Sequence, residues 1–213
     1  MKKGKIVYAA LLSTLLFFSC KKDNVAIQVV LQAKTVSNLP ADTIIGLSSI
    51  GQPYGSGKFT FYSLENNAII SNADSASAKW DIAFRGTTII TNGGTSGSAS
   101  GGAFVYNGLF SDLTVVSPDS SFRTDNAPTA YAIKTGSGNG WYSYNGATNL
   151  ITPIPGRILV IRTATGKYAK IEILNYYKGG ITPDASASDN IKLTEQRYYT
   201  FRFLFQSDGT RNF

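Results

Sequence analysis

The chain has 213 residues, of which only 15% are charged and 12% aromatic, and it contains 21 glycines. This length allows one domain with a sizeable core, and the composition suits an all-β chain with many turns, not a disordered one. There is no histidine, which excludes Ser-His-Asp hydrolysis, histidine-ligated zinc and histidine acid–base catalysis.

The first twenty residues have the pattern of a lipoprotein leader. A positively charged start is followed by an apolar run too short for a comfortable membrane span. Cys20, the only cysteine, follows a serine at the end of this run and resembles a bacterial lipobox, in which the cysteine is acylated. The sequence predicts a signal peptide over 1–19, lipidated Cys20 with a charged tether over 20–24, and one domain over 25–213. The alternative is a plain secretory signal with an incidental cysteine.

Loss of the leader lowers the formal charge from +7 to +4, because Lys2, Lys3 and Lys5 leave with it. The remaining positive charge is spread along the chain, whereas nucleic-acid-binding domains cluster their basic residues. We therefore predict no nucleic-acid partner.

The first strand signals of the domain lie at 25–39, 58–64 and 68–70, the last two separated by a Glu-Asn-Asn turn. The Gly-Ser-Gly-Lys stretch that ends at Lys58 superficially resembles a phosphate-binding loop. Phenylalanine follows the lysine where serine or threonine is required, so this reading fails.

The next segment, 79–91, alternates as a β-strand does. This alternation predicts one face made of Trp80, Ile82 and Phe84 and an opposite face made of Asp81, Ala83 and Arg85. Asp81 and Arg85 are expected to be structural polar partners. The glycine-rich segment 92–102 is predicted to be a flexible turn, and no helix follows it that could hold a phosphate. Segments 104–110 and 113–118 continue the strand pattern.

The second half of the domain also consists of strand signals. Residues 140–146 form a short aromatic strand, and 157–177 read as a hairpin that turns at Thr165–Gly166. The segment 196–206 places Tyr199, Phe201, Phe203 and Phe205 on one aromatic face. Apart from the leader, helical periodicity never exceeds about two turns. The predicted fold is all-β: a single antiparallel domain, sandwich-like or barrel-like.

Catalytic patterns are weak in this chain. A Gly-x-Ser-x-Gly elbow is absent, and nothing singles out two carboxylates for glycoside hydrolysis. Asp119, Asp184 and Asp189 lie in Ser- or Pro-rich segments where aspartate ordinarily forms turns, and these segments do not match an EF-hand loop. We predict that the protein is not an enzyme.

Three segments in order, 80–103, 157–177 and 198–205, resemble the HmuY family, the lipid-anchored haem-binding proteins (haemophores) of Bacteroidota. The resemblance extends from about Phe59 to Phe205 and includes the lipobox. It implies an all-β domain with a hand-like cleft that captures haem outside the cell and passes it to a TonB-dependent outer-membrane receptor. Family members hold the iron with two axial histidine or methionine side chains, one from each of two loops.

This chain departs from that ligand pattern, since it has no histidine and its one methionine is Met1. The resemblance puts the first ligand loop between Asp125 and Trp141, and the second ligand at Asn145 or Gly146, neither of which is a plausible iron ligand.

The residues that remain as ligand-binding candidates are Tyr131, Tyr142, Tyr144, Lys134 and Asn145. Tyrosinate is a known haem ligand, so Tyr131 or Tyr144 would bind the iron if it is ligated. The alternatives are haem held by aromatic stacking without axial bonds, and tyrosines that merely pack on a strand face.

Cationic side chains could bind the carboxylates of such a ligand. Arg123, Arg157 and Lys134 are the candidates, since basic groups match propionates. Arg162, Lys167 and Lys170 flank the 157–177 hairpin beside Glu172, where cross-strand pairing is expected instead.

Two functions follow from these observations. The first is an outer-membrane lipoprotein, facing the medium or the periplasm, that binds haem with atypical or lost axial ligands. The second is a surface structural or interaction module of the same fold that binds no haem.

Overall fold

Alternating apolar and polar residues form two packed sheets in the computed structural model, which describes residues 31–213. The predicted leader, Cys20, the tether and the first part of the strand predicted over 25–39 lie outside the described residues. Residues Leu31–Phe213 form one compact unit.

The described residues contain thirteen strands, one α-helix and two short 3₁₀ helices. The strands are β1 (Lys34–Pro40), β2 (Gly46–Leu47), β3 (Pro53–Tyr54), β4 (Thr60–Ser63), β5 (Ala68–Ile70), β6 (Ile82–Arg85), β7 (Thr88–Thr91), β8 (Gly102–Asn107), β9 (Tyr142–Asn145), β10 (Leu150–Pro153), β11 (Arg157–Arg162), β12 (Tyr168–Tyr177) and β13 (Gln196–Gln206). Helix α1 spans Asp189–Glu195, and the 3₁₀ helices span Asn72–Asp74 and Lys178–Gly180.

The larger sheet has the strand order β1-β13-β12-β11-β8, and each neighbouring pair is antiparallel. Its central hairpin, β11–β12, is the one that the sequence predicts. Gly166 has a φ of +81° in the turn, a conformation that glycine adopts without steric cost. The last strand, β13, lies between β12 and β1, so the first and last described strands are neighbours in one sheet.

The smaller sheet has the order β5-β4-β6-β7, again antiparallel, and two separate two-stranded ribbons are formed by β2–β3 and β9–β10. The inner faces of the two sheets bury a common aromatic core. Phe84 of the smaller sheet stacks on Phe201 of the larger, with ring centroids 5.6 Å apart, and Tyr62 meets Phe201 edge-on at 5.7 Å. The predicted all-β, sandwich-like fold is confirmed, and the described strands do not close into a barrel.

Apolar side chains also cluster on the outer face of each sheet. The loop 108–122 lies over the larger sheet and packs Phe110, Leu113 and Val116 against it. Lys170 is buried there and pairs with no carboxylate among the described residues. Its ammonium donates to the carbonyls of Phe110 and Leu113, both at 2.8 Å. Burial, with a smaller contribution from nearby Arg202, lowers the pKa of Lys170.

The outer face of the smaller sheet carries a second, smaller cluster, made of Phe61, Trp80, Ala83 and Ile90. The sequence placed Trp80 on the same face as Ile82 and Phe84, which is wrong because β6 begins only at Ile82. Trp80 precedes the strand and packs against Phe61 with ring centroids 4.8 Å apart.

Several other local predictions can be compared with the structure. Tyr199, Phe201 and Phe203 form the predicted buried face of β13, whereas 113–118 holds only an isolated bridge at Val115 and not a strand. Helix α1 begins at Asp189, which was predicted to form a turn. The glycine-rich segment is packed at its base, because a side chain on Gly93 would lie 2.1 Å from the Gly101 carbonyl oxygen and one on Gly101 would lie 2.5 Å from the Asn92 carbonyl oxygen.

Candidate functional site

A groove of about 500 Å³ lies on the outer face of the smaller sheet, and we call it the aromatic groove. Its apolar lining comes from Phe59, Phe61, Ile90 and Tyr131, with the loop 127–128 on one side. Phe61 and Ile90 are buried, while Phe59 and Tyr131 are half-buried. This volume and this mainly apolar lining are typical of small-molecule sites.

The strand pattern explains why the aromatic side chains face the groove. Side chains alternate between faces along β4, so Tyr62 enters the core between the sheets and Phe61 points outward. In β6 the outward positions are Ala83, which is buried in the same cluster as Phe61, and Arg85, which lines the groove. Phe59 and Phe61 are two residues apart and lie side by side, with ring centroids 6.4 Å apart.

One cation lies at the groove. The Arg85 guanidinium carbon is 4.3 Å from the centroid of the Phe59 ring, a cation–π contact. A guanidinium nitrogen also donates to the Gly57 carbonyl at 3.3 Å. The ion pairs found within residues 31–213 do not include Arg85, so its charge has no carboxylate partner in the described chain.

The expected pairing of Arg85 with Asp81 is therefore wrong. Asp81 is buried, and its two oxygens accept the backbone N–H groups of Leu64 at 2.8 Å and Ala164 at 3.0 Å. Burial raises the pKa of Asp81, and these hydrogen bonds oppose the effect. Asp81 therefore links its own segment to the backbone at Leu64 and at Ala164. It forms no ion pair with Arg85, whose guanidinium lies at the groove.

The loop that carries Tyr131 is fixed by another buried carboxylate. Asp125 accepts the N–H of Thr91 on β7 at 2.9 Å and the N–H of Ala132 at 2.7 Å. Within the loop, Asn126 and Ala130 exchange two backbone hydrogen bonds of 2.8 Å each. Tyr131 directly precedes Ala132 in the chain. The hydrogen bond from Ala132 to Asp125 therefore fixes the backbone that carries the Tyr131 side chain beside the smaller sheet.

The other tyrosine candidates lie elsewhere. Tyr142 is in the core between the sheets, with its ring 5.0 Å from that of Trp141. Tyr144 is exposed, and its hydroxyl already donates to Asn149 at 2.8 Å. It lines a separate depression of about 290 Å³ between the β9–β10 ribbon and α1. Asn145 ends β9, and its side chain accepts the N–H of Ala147 at 2.9 Å.

Lys134 lies in a third depression, of about 240 Å³, together with Arg123. The structure thus brings two of the three predicted carboxylate-binding cations together, while Arg157 begins β11. Tyr131, Lys134 and Tyr144 each line a different depression. The sequence grouped these residues because they are close along the chain, and the fold separates them.

The pairing predicted between Glu172 and the cations of the β11–β12 hairpin is also wrong. Glu172 binds Arg202 of β13, with 2.6 Å between the charged atoms, and Lys167 binds Glu65 at 2.7 Å. Arg162 donates to a backbone carbonyl of the glycine-rich segment at 2.8 Å. These cations stabilise contacts between segments and are not available to the groove.

Burial raises the pKa of several tyrosine side chains. It raises the pKa of Tyr62 to about 12 and raises the pKa values of Tyr176, Tyr177 and Tyr199 as well. A tyrosinate ligand at these core positions is therefore strongly disfavoured. Within residues 31–213 no cluster of three or more cysteine, aspartate or glutamate side chains could hold a metal ion, and no helix is long and apolar enough to span a membrane.

The chain was compared with known proteins. A sequence profile of the HmuY protein family matches residues 56–188, and none of the curated proteins matches the chain. A Bacteroides vulgatus protein named as HmuY-like and haem-binding has a similar structure, with a TM-score of 0.51 at 14% identity over 81% of this chain and 91% of its own. A Bacteroides fragilis protein named as a lipoprotein gives 0.51 at 15% identity over 84% and 93%. The two structures support the fold.

Proposed function

This chain belongs to the HmuY family, and we propose that it binds haem or a closely related tetrapyrrole in the aromatic groove. HmuY proteins are a family of binding proteins and not of enzymes, and the Bacteroides vulgatus neighbour is named as haem-binding. A tetrapyrrole is a flat apolar ring with carboxylates at one edge. The groove offers aromatic side chains to the ring and a cation to a carboxylate.

The observation that carries this proposal is the position of Arg85. A guanidinium stacked on Phe59, at the edge of an apolar groove and without a carboxylate partner among residues 31–213, is placed to receive an acidic group. Such a charge-assisted hydrogen bond contributes about 1.5–3 kcal/mol where water is largely excluded. Sequence reasoning missed Arg85, because it assigned the residue to Asp81 on the same strand face.

The iron of a bound haem has one tyrosine candidate in this groove. The chain has no histidine and its one methionine is Met1, in the predicted leader, so the domain offers no iron ligand of either type. Tyr131 lines the groove and belongs to the loop in which the family resemblance puts one axial ligand. We propose that the Tyr131 hydroxyl ligates the iron as tyrosinate and that the aromatic lining holds the rest of the ring.

The cellular setting is part of the same proposal. The lipobox at Cys20 and the Bacteroides fragilis neighbour named as a lipoprotein support a lipid-anchored protein of the outer membrane. Capture of haem there would serve iron acquisition, with transfer to a TonB-dependent receptor. Acylation of Cys20 is tested by mass spectrometry of the membrane-extracted protein.

Haemin titration of the chain that begins at Lys21 tests the binding. We expect a saturable Soret shift that Tyr131→Phe alters in position, whereas Tyr144→Phe leaves it unchanged. Arg85→Gln should weaken binding about tenfold, the loss of roughly one charge-assisted hydrogen bond. Arg123→Gln, which removes a cation from a different depression, is the matched control.

Iron-free protoporphyrin separates the two modes of binding. If Tyr131 ligates iron, Tyr131→Phe weakens haemin binding but changes protoporphyrin binding little, while Phe59→Ala weakens both. A Soret band identical to that of free haemin at every ratio would refute the proposal. It would favour the second function, a surface module that binds no haem, which the absence of histidine and of any methionine besides Met1 already supports.

A further inference from the structure

The β2–β3 ribbon exposes an unusual amount of apolar surface. We call residues 45–54 the apolar hairpin. Its four large apolar side chains are Ile45, Leu47, Ile50 and Tyr54, of which 67%, 55%, 81% and 50% are exposed. Single exposed apolar residues are ordinary, but four within ten residues form a patch of the kind that contacts another molecule.

The apolar side chains surround the hairpin instead of lying on one side. Ile45 and Leu47 are two residues apart and share one face of the ribbon. Tyr54 pairs with Gly46 and covers it on the other face, where its ring leaves no room for a side chain. Ile50 lies in the turn that connects the strands. A flat protein partner would cover only one of these faces, whereas lipid surrounds an inserted tip on all sides.

The backbone of the hairpin is largely satisfied internally. Ile45 donates to the Tyr54 carbonyl at 2.9 Å, and Ser48 donates to the Gln52 carbonyl at 2.8 Å. The Gln52 N–H in turn donates to the Ser48 hydroxyl at 3.0 Å. This matters for contact with lipid, because unpaired backbone groups are costly to remove from water.

The charges near the hairpin also suit a lipid surface. No acidic residue occurs between positions 43 and 64, and the one cation there, Lys58, is exposed. The preceding carboxylate, on Asp42, is turned inward, where it accepts from Ser56 and Gly57 and lies near Arg197. An apolar tip with tyrosine and lysine behind it and no exposed carboxylate is the composition of membrane-interface segments.

We propose that the apolar hairpin inserts its tip into the lipid surface to which the protein is anchored. This inference rests on the proposed membrane location. Cys20 and Lys34 are fourteen residues apart, which allows a span of up to about 46 Å at roughly 3.3 Å per residue. Strand β1 covers only about 23 Å at the same rise before the chain reaches the hairpin. The covalent chain is therefore long enough for an acyl group on Cys20 and the hairpin to meet the same membrane.

The experiment uses the unlipidated chain from Lys21, which contains no cysteine. Ile50→Cys then provides a single site for an environment-sensitive fluorophore, and Ile181→Cys, at a side chain that is 72% exposed but outside the hairpin, is the control. With vesicles of phosphatidylethanolamine and phosphatidylglycerol, we expect a blue shift at position 50 and none at position 181. The shift should persist in high salt, because apolar contact and not charge holds the tip.

Unlabelled variants measure the contribution of the apolar side chain. Ile50→Asn should lower partitioning into the vesicles about tenfold or more, since the apolar side chain that enters the lipid is replaced by a polar one. Ile181→Asn should leave partitioning unchanged. Equal losses for both variants, or a label at position 50 that does not respond to vesicles, would overturn the inference.

Two further results separate this inference from its alternatives. Self-association in solution that Ile50→Asn abolishes would assign the hairpin to an interface between copies and refute the lipid contact. Haemin titration of Ile50→Asn keeps the two proposals distinguishable. If vesicle binding fails while haemin binding is normal, the hairpin inference falls and the proposed function stands.

Discussion

The buried carboxylate of Asp125 is expected to control both the stability of the domain and the position of Tyr131. Its two oxygens accept the N–H groups of Thr91 and Ala132 in a site where only 2% of the residue is exposed. Asp125→Asn changes little in shape, but it replaces one of these acceptors with an NH₂ group. That NH₂ group must then face a backbone N–H, because both of the original partners are donors.

The cost can be estimated from these contacts. One charge-assisted hydrogen bond, worth about 1.5–3 kcal/mol, is lost, and one buried N–H is left without an acceptor. The remaining hydrogen bond becomes neutral and weaker. We expect Asp125→Asn to lower the free energy of unfolding by about 2–4 kcal/mol. For a domain of this size, that corresponds to a fall in Tm of roughly 5–15 °C.

Urea unfolding and thermal scans of the chain from Lys21 measure this change. Asp119→Asn is the matched control, since Asp119 is exposed, and it should stay within about 0.5 kcal/mol of the wild type. Haemin titration of the Asp125→Asn protein, at a temperature where it is folded, should show weaker binding, because the Ala132 end of the Tyr131 loop is loosened. A variant as stable as Asp119→Asn would show that the two N–H contacts do not support the fold as described.

Replacing buried Lys170 with methionine should cost about 2–4 kcal/mol in urea unfolding, because two carbonyls lose their donor; a cost no greater than that of Lys178→Met, at an exposed site, would contradict this. Gly140→Ala should lower Tm, since its new methyl group would lie 2.1 Å from a backbone carbonyl oxygen. Gly146→Ala, whose nearest neighbouring atom is 3.8 Å away, should not lower Tm, and equal Tm values would refute the steric argument. Burial raises the pKa of Tyr62 to about 12, so its stabilisation is complete below the unfolded pKa of about 10 and is lost as pH rises through about 12. Circular dichroism during alkaline titration should therefore show a smaller loss of stability for Tyr62→Phe over that interval, and an unchanged loss would contradict the assignment.

Local sequence predicts some residues of the candidate site correctly and others not. The sequence predicts a ligand loop between Asp125 and Trp141, and Tyr131 within that loop lines the aromatic groove. Tyr142 and Tyr144 look equivalent to Tyr131 in sequence, yet one is packed in the core and the other is hydrogen-bonded at a separate depression. A side chain's environment depends on segments far away in the chain, which the local pattern does not encode.

The ion pairs show the same limit. Asp81 and Arg85 are neighbours on one strand, so sequence reasoning paired them. The fold gives Asp81 the backbone N–H of Ala164, which is 83 residues away in the chain, and leaves Arg85 beside Phe59. An arginine that has no carboxylate partner among residues 31–213 and lies next to an aromatic strand could have identified the groove, if Asp81 had been recognised as a buried acceptor.

The sequence alone determined the class of fold and most of its strands. Alternation of apolar residues and the placement of glycine act over a few residues, so β4, β6, the β11–β12 hairpin and β13 could be read directly. Only the tertiary structure shows that β13 lies beside β1 and that Phe59 and Phe61 lie near Tyr131. It also shows that four apolar side chains of the apolar hairpin remain exposed. These features depend on which distant segments pack together. That packing is determined by how the whole chain buries its apolar surface, which no single stretch of sequence encodes.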